Sequence, residues 1–538
     1  MAGENEEQDV QTTTSGFAVP EGLEPPSSAE DEPTSEFAVP EGLTLPPSAP
    51  PRSEFTPAGG VPKFARGMPW QDRMRTLVRL PLAERPAPEY VARGDGDGED
   101  GEAAPPVPRV LDLTLRIGEL LLAGGEGAED VEAAMYGVTH AYGLDRCEVT
   151  VTFTLISVTH QPSLVDPPVS LSRTVRRRGT DYTRLAAVFE LVADITEHAI
   201  TLEEAYGRLA SMRRNRHPYT KWQLTCASGL LAGAASTLVG GDWQVFLLAA
   251  LGAMIGDRLA WVASGRGLPE FYQFVAAAMA PAVIGSLWAA GHTSGGGKAE
   301  AAAMITGGLF ALIPGRALVA GVQDGLTGYY LTASARLLEV VYLIVGIVCG
   351  VLAVLYVAET SGVSLDPEAT VREVRPAVQL AAALLLSLAF CVLLQQDRGT
   401  VLPATLNGGV AWLVYGSMHD VAHLSPFAAT AVAAGMVGLF GQLLSRYRFA
   451  SSLPYVTAAI GPLLPGSAFY LGLLGFALGD VDQGMEYLLR AVTLALAIAV
   501  GVNLGGEIAR LFIRTPGLTT PLEFPAFRRR GAKRTRGF

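Results

Sequence analysis

Two segments of this chain have related sequences, and each carries a Pro-Gly pair inside an apolar stretch. ITGGLFALIPGRALVAGVQD aligns with VTAAIGPLLPGSAFYLGLLG, so that Pro314-Gly315 falls on Pro465-Gly466 at an offset of 151 residues. The apolar stretches on either side of the two segments match at about the same offset. The chain therefore contains two similar apolar halves.

Each half contains five apolar spans of about 17 to 25 residues, the length that a helix needs to cross a hydrocarbon core of about 30 Å. The mean hydropathy is +0.30 although the N-terminal segment is polar. Because five is an odd number, the second half must enter the membrane from the opposite side. We therefore predict a polytopic α-helical membrane protein with about ten transmembrane helices in a 5+5 inverted repeat. The spans are expected at 223–240, 243–263, 270–290, 299–322, 337–358, 376–394, 399–417, 426–445, 454–479 and 484–513.

The remaining sequence predicts two tails, a small domain and a linker. Residues 1–106 are rich in Pro, Glu, Ser and Gly, a composition typical of disorder. Within them, residues 63–80 are basic and apolar, and could lie on an anionic inner leaflet or form a plain linker. Helical and alternating patterns follow and indicate a small cytoplasmic α+β domain. The expected units are a disordered cytoplasmic tail 1–106, the α+β domain 107–215, a first membrane repeat 221–358, an extracytoplasmic linker 359–375, a second repeat 376–513 and a basic cytoplasmic tail 514–538.

The distribution of Lys and Arg predicts the orientation. Basic residues precede the first span and follow the second, sixth, eighth and tenth, which all fall on one side when the spans alternate. Cytoplasmic loops carry such an excess of Lys and Arg. We expect a multi-pass plasma (inner) membrane protein with both termini in the cytoplasm and the lipid bilayer as its surroundings.

The sequence gives little support to enzymatic or metal chemistry. Its four cysteines show no CxxC spacing, and no HExxH or GxSxG motif is present. A membrane-anchored hydrolase would have to use acids and histidines of the α+β domain, namely Asp130, Glu132, His140 and His160. We predict no enzyme, no cofactor, no metal and no nucleic-acid partner.

The two Pro-Gly pairs predict a transport site. A proline removes a backbone donor and breaks a helix, and paired broken helices present half-helix N-termini to a carboxylate and free carbonyls to an ammonium group. A zwitterionic amino acid needs both. The alternative is that these residues only kink helices for packing. Candidate substrate-binding residues are Pro314, Gly315, Arg316, Asp324, Asn407, Pro465, Gly466, Ser467 and Asn503. Asp257 and Asp324 are candidates for carrying a proton, although Asp257 could instead form a satisfied pair with Arg258, and Asp324 could be solvated at the end of its span.

A motif in the α+β domain adds a family resemblance. The run LLLAGGEGAEDVEAAMYGVTHAYGL, then Asp181 before an apolar helix, Glu204-Ala205, and ten spans with Pro-Gly elements resemble the threonine/serine exporter family of bacteria over about residues 107–513. The resemblance implies a secondary carrier that exports threonine and serine with the proton motive force. Some relatives of this kind move dicarboxylates such as succinate, so a dicarboxylate exporter is one alternative and a channel is another. A homo-oligomer is possible.

Overall fold

The computed structural model describes residues 106–512 apart from short gaps, together with Trp70 and Met74. These residues fall within one compact unit, Phe64–Phe538. The rest of the predicted disordered tail, most of the predicted linker and the basic C-terminal tail lie outside the described residues. The gaps are at 145, 163–164, 176–178, 180, 215–218, 293–294, 364–374 and 449–450.

An α+β unit precedes the membrane helices. Its three strands form an antiparallel sheet in the order β1-β2-β3, with Cys147 opposite His160 and Leu155 opposite Thr174. Gly125, in a left-handed conformation with φ 89°, ends the first helix and turns the chain into the second. The elements are α1 (Val107–Ala123), α2 (Ala128–Ala141), β1 (Cys147–Val151), β2 (Leu155–His160), β3 (Val169–Thr174), α3 (Tyr182–Thr196) and α4 (Leu202–Arg214).

Two residues from the predicted tail belong to the core of this unit. Trp70 and Met74 are helical and buried. The Trp70 ring lies 5.8 Å from the Phe189 ring, and Met74 lies against Gly137. The predicted disorder therefore does not hold at these two positions, and their side chains pack on protein rather than on a lipid leaflet. The physical reason is their spacing of four residues, which places both on one helical face.

Twelve α-helices and two short irregular helical turns follow within the described chain. A π-helical turn, Ser417–Val421, extends α12, and a 3₁₀ turn, Gly461–Leu463, follows α14. The helices are α5 (Lys221–Leu238), α6 (Trp243–Gly265), α7 (Glu270–Gly291), α8 (Gly295–Phe310), α9 (Gly315–Leu326), α10 (Tyr330–Thr360), α11 (Pro376–Leu393), α12 (Arg398–Gly416), α13 (Pro426–Arg448), α14 (Leu453–Ala459), α15 (Gly466–Ala477) and α16 (Val481–Phe512).

Six helices of the described chain are long and apolar enough to cross a membrane, namely α6, α7, α10, α11, α13 and α16. A seventh span results if Leu453–Leu463 and Gly466–Phe476, which are bent by 53° at their break, count as one. The spans predicted at 223–240, 299–322 and 399–417 do not reach this length and apolarity. Helices α5 and α12 begin with Lys221 and Arg398, and α8 and α9 are short. The count of ten spans stays a prediction.

The second set of helices follows the order and turn geometry of the first. Asp242 and Asp397 cap the N-termini of α6 and α12. Pro314 precedes α9 with φ −78° and ψ 52°, and Pro465 precedes α15 with φ −81° and ψ 54°. The last helices, α10 and α16, contain 31 and 32 residues. The sequence repeat therefore corresponds to a repeat in the order of helices and breaks.

Candidate functional site

The two Pro-Gly breaks lie against each other. A Cβ added to Gly315 would lie 3.0 Å from the Leu464 side chain, and one added to Gly466 would lie 2.7 Å from the Phe310 ring. Each glycine thus packs against a residue beside the other break. Because only glycine lacks a side chain, it allows this close approach.

Both breaks have the same local geometry. The Gly315 N–H donates to the Ile313 carbonyl at 2.8 Å, and the Gly466 N–H donates to the Leu464 carbonyl at 2.9 Å. These bonds close inverse γ-turns around the two prolines. Each proline therefore starts a new helix, and the first turn of α9 and of α15 lies at the contact between the halves.

A cavity of about 280 Å³ lies on one side of the second break. The first turn of α15, including Ser467, lines it. Other walls come from the C-terminal ends of α5 and α12 and the N-terminal parts of α13 and α16. The polar and aromatic lining residues include Trp412, Tyr415, Thr430, Tyr487 and Arg490.

A smaller cavity of about 70 Å³ lies toward the other end of the same helices. Glu129 of the α+β unit lines it, so this unit forms part of the cavity wall. Since one water needs at least about 10–15 Å³ measured in this way, the space suits a few waters rather than an amino acid. Its polar lining residues are Glu129, Gln323, Thr327, Gln442, Ser452, Thr457, Asn503 and Glu507.

An apolar layer separates the two cavities. Leu494 lines the larger cavity and Val502 the smaller, and both belong to α16. Eight helical residues correspond to about 12 Å along the axis. The layer is a cluster of buried side chains that includes Phe310, Val319, Val437, Ile460, Leu464 and Ile498. The facing breaks contribute Phe310 and Leu464 to it, so the breaks lie in the apolar layer between the two cavities.

A buried ion pair lies beneath the α+β unit. Asp324 of α9 and Arg336 of α10 are 1% and 5% exposed and meet at 3.1 Å, without the alignment of a hydrogen bond. The Asp324 carboxylate also accepts from the Ala128 N–H at the N-terminus of α2, at 2.8 Å. Arg336 donates to the Glu126 carbonyl at 2.6 Å. Both charges are therefore compensated by each other and by the α+β unit.

A tyrosine next to this pair adds a contact to the same unit. Tyr329, in the loop between α9 and α10, donates its hydroxyl to the Glu132 carboxylate. Burial raises the pKa of Tyr329, and the hydrogen bond to Glu132 acts in the same direction. The phenol thus stays protonated and available as a donor.

The second half of the membrane helices also contacts the α+β unit. The Glu126 carboxylate accepts from the Ser451 hydroxyl at 3.0 Å, just before α14. The N–H groups of Tyr182 and Thr183, at the N-terminus of α3, donate to the carbonyls of Leu394 and Gln395, each at 3.1 Å. The core of the unit continues into Cys391, Leu394 and Tyr455. The α+β unit is therefore docked on both sets of membrane helices.

The structure brings some candidate residues together and separates others. Pro314, Gly315, Pro465, Gly466 and Ser467 lie at the facing breaks. Asn503 donates to the Ala499 carbonyl and lines the smaller cavity. Asn407 is buried and donates to the carbonyls of Val437 and Tyr455 at 3.2 and 3.3 Å. Arg316 follows Gly315 in α9, and its side chain lies outside the described part.

Asp257 lies apart from the two cavities. It accepts from the Thr225 hydroxyl and is 3.9 Å from Arg258, and its side chain is 38% exposed. Arg258 also stacks on Trp222 and donates to the Lys221 carbonyl. These contacts favour a satisfied pair at a helix surface.

The acidic and histidine side chains that a hydrolase would use make separate contacts. Glu132 is bonded to Tyr329, and His140 stacks on Tyr136. His160 lies 3.5 Å from the Cys147 sulfur across the sheet. Within the described ranges, no three or more His, Cys, Asp and Glu side chains are grouped to hold a metal ion.

Three functional candidates were missed from the sequence. Arg336 gave no signal, and Glu126 lies in the quoted family motif without a role that the motif predicts, because the importance of both comes from a contact between distant parts of the chain. Arg490 did give one, since it lies inside the apolar span Val481–Ala509. An ionisable residue within a span is by itself a reason to expect function.

Comparison with known proteins identifies the family of this chain. A family profile described as "Putative threonine/serine exporter" matches residues 112–358, and one described as "Threonine/Serine exporter, ThrE" matches residues 379–507. The chain is 33% identical over 447 residues to a probable threonine/serine exporter of Mycobacterium tuberculosis, covering 81% of this chain and 83% of that protein. It is 30% identical over 414 residues to the threonine/serine exporter of Corynebacterium glutamicum, covering 76% and 84%. No solved structure matches. This chain therefore belongs to the threonine/serine exporter family.

Proposed function

We propose that this protein is a secondary active exporter of small amino acids, threonine and serine, driven by the proton motive force. The observation that carries the proposal is the contact between the two Pro-Gly breaks, between cavities at opposite ends of the same helices. A carrier needs such a site, closed on one side at a time. The names of the relatives supply the substrate.

We propose further that the ten spans form two repeats, 221–358 and 376–513, which cross the membrane in opposite senses. The matching order of helices and breaks supports this. The contacts of the α+β unit described above reach the loops after the fourth, sixth and eighth predicted spans, which fall on one side if the spans alternate. That side is the cytoplasm by the distribution of Lys and Arg. The larger cavity then faces outward in this plasma-membrane protein.

In this mechanism the α+β unit is the cytoplasmic gate. Amino acid can enter from the cytoplasm only after the unit moves off the smaller cavity. Asp324 is the preferred site for the coupling proton, with Asp257 as a second candidate. Protonation of Asp324 removes the charge that attracts Arg336 and weakens the acceptor for the Ala128 N–H, so the unit would be released. The N-terminus of α15 would then attract the carboxylate, and backbone carbonyls near the breaks would receive the ammonium group.

The test is efflux of labelled threonine, serine and succinate from liposomes containing the purified full chain, with and without an imposed proton gradient. The variant is Pro314→Ala/Gly315→Ala, and the matched control is Pro403→Ala, because Pro403 lies within the continuous helix α12. We expect gradient-dependent efflux of the amino acids, abolished in the first variant and kept in the second. Gradient-independent flux would indicate a pore. Efflux of succinate alone would indicate a dicarboxylate exporter, and either result would overturn the proposal.

A further inference from the structure

Arg490 is a charged residue inside an apolar helix, and it faces a cavity. It lies in the span Val481–Ala509 and lines the larger cavity. Among the described residues, no carboxylate forms an ion pair with its guanidinium group. A charge in a span is costly unless it is paired or faces water, and such residues typically lie along a transport path. Arg490 is exposed, so an anionic group that enters the cavity can reach its guanidinium group.

The volume of this cavity suits a small solute. Small-molecule sites usually measure about 300–1,000 Å³, and this cavity of about 280 Å³ lies just below that range. The smaller cavity of about 70 Å³ would not hold an amino acid. The larger cavity is therefore the one that can hold a transported molecule in this conformation.

Aromatic rings line the same cavity. Trp412 and Tyr415 have ring centroids 5.7 Å apart, and Tyr487 adds a third ring. The face of an aromatic ring is negative and attracts an ammonium group. One guanidinium group with aromatic faces matches a carboxylate and an ammonium on one molecule. A dicarboxylate would place its second negative charge near those faces and gain nothing from them.

We propose that Arg490 binds the α-carboxylate of the exported amino acid in the larger cavity, and that Trp412 receives its ammonium group. The cavity is then the release site, and these residues discriminate zwitterionic amino acids from dicarboxylates. This inference rests on the proposed export function. An anionic lipid headgroup could supply the same chemistry as the carboxylate, and the test separates the two sources.

The experiment measures how external compounds inhibit counterflow of labelled threonine in liposomes containing the full chain. The inhibitors are threonine, threonine methyl ester, which lacks the carboxylate, and 2,3-dihydroxybutyrate, which lacks the ammonium group. The variants are Arg490→Gln, Arg490→Lys and Trp412→Leu. Arg266→Gln is the matched control, because Arg266 is exposed at the end of α6 and lines neither cavity. Each protein is assayed in neutral lipid and in lipid with phosphatidylglycerol.

We expect Arg490→Gln to raise the inhibitory concentration of threonine at least tenfold and to leave that of the methyl ester unchanged. For Arg490→Lys, the inhibitory concentration of threonine should lie between those of the unmodified protein and of Arg490→Gln. Trp412→Leu should weaken inhibition by threonine and by the methyl ester but not inhibition by dihydroxybutyrate. This variant tests the site independently if Arg490→Gln does not fold. An equal change for threonine and the ester would overturn the assignment. So would an effect confined to anionic lipid. Absence of counterflow by the unmodified protein would instead refute the export function.

Discussion

Removal of Arg336 should release the α+β unit from the membrane helices. In Arg336→Leu, the Asp324 carboxylate stays buried and loses its only described ion-pair partner. Two unit charges 3.1 Å apart attract by about 5 kcal/mol at an effective dielectric constant of about 20. Breaking buried pairs by removing one partner typically costs about 3–5 kcal/mol. We therefore expect the docked state to lose about that much free energy relative to an open state in which water reaches Asp324.

Hydrogen exchange at the N-terminus of α2 measures this change, because the Ala128 N–H is bonded to Asp324. Since about 1.4 kcal/mol corresponds to a factor of ten, a loss of about 3–5 kcal/mol should accelerate exchange by about 10²- to 4 × 10³-fold in peptides that begin at α2. The double variant Asp324→Asn/Arg336→Leu should recover most of the protection, because neither charge is left alone. Mass spectrometry of the purified full chain gives the readout.

The matched control is Arg258→Leu. Arg258 is 29% exposed and 3.9 Å from Asp257, so its pair should contribute less than about 1 kcal/mol. We expect little change in exchange at α2. Equal exchange at α2 in Arg336→Leu and in the unmodified protein would refute the reasoning, as would a double variant less protected than the single one.

Three further predictions concern close packing and proton binding. Gly466→Ala should reduce threonine efflux at least tenfold, because its Cβ would lie 2.7 Å from the Phe310 ring. Phe310→Leu in the same chain should restore part of the efflux. Failure of both effects would argue against the contact. Gly505→Ala should lower the free energy of unfolding by about 1–3 kcal/mol or more, since its Cβ would lie 1.9 Å from a carbonyl oxygen of α13. Gly506→Ala meets nothing within 4 Å and should keep or slightly raise the melting temperature, because alanine favours a helix over glycine. Burial raises the pKa of Tyr206 to about 12, whereas the phenol of the unfolded chain ionises near pH 10. The α+β unit should therefore lose stability as the pH rises from 10 to about 12, and alkaline unfolding measures this loss. Tyr206→Phe should lose less stability over the same pH range.

Local sequence patterns predicted the breaks but not their surroundings. Pro314 and Pro465 interrupt apolar runs, and a proline followed by glycine favours a helix break, whereas Pro403, which has no glycine after it, lies within a continuous helix. Their equal spacing in the two halves also anticipated equal turns. That Gly315 contacts Leu464 could not be derived, because packing between segments about 150 residues apart leaves no mark on either local pattern.

The setting of Asp324 differed from the solvated alternative considered for it, and the reason is again a distant contact. Position near the end of a span suggests access to water, but the N-terminus of α2 covers this carboxylate. Trp70 illustrates the same limit, since a composition typical of disorder surrounds a side chain that completes the α+β core. Arg490 is different, because its charge within an apolar span was visible in the sequence.

The docking of one unit on both sets of helices means that the two membrane halves are connected twice, by the peptide chain and by residues of the α+β unit. Glu126 is a single residue that contacts both halves, Arg336 in the first and Ser451 in the second. Covalent continuity between the halves is then not what brings them together. A chain cut between α10 and α11 should still assemble as a complex of two polypeptides, with the α+β unit as the bridge.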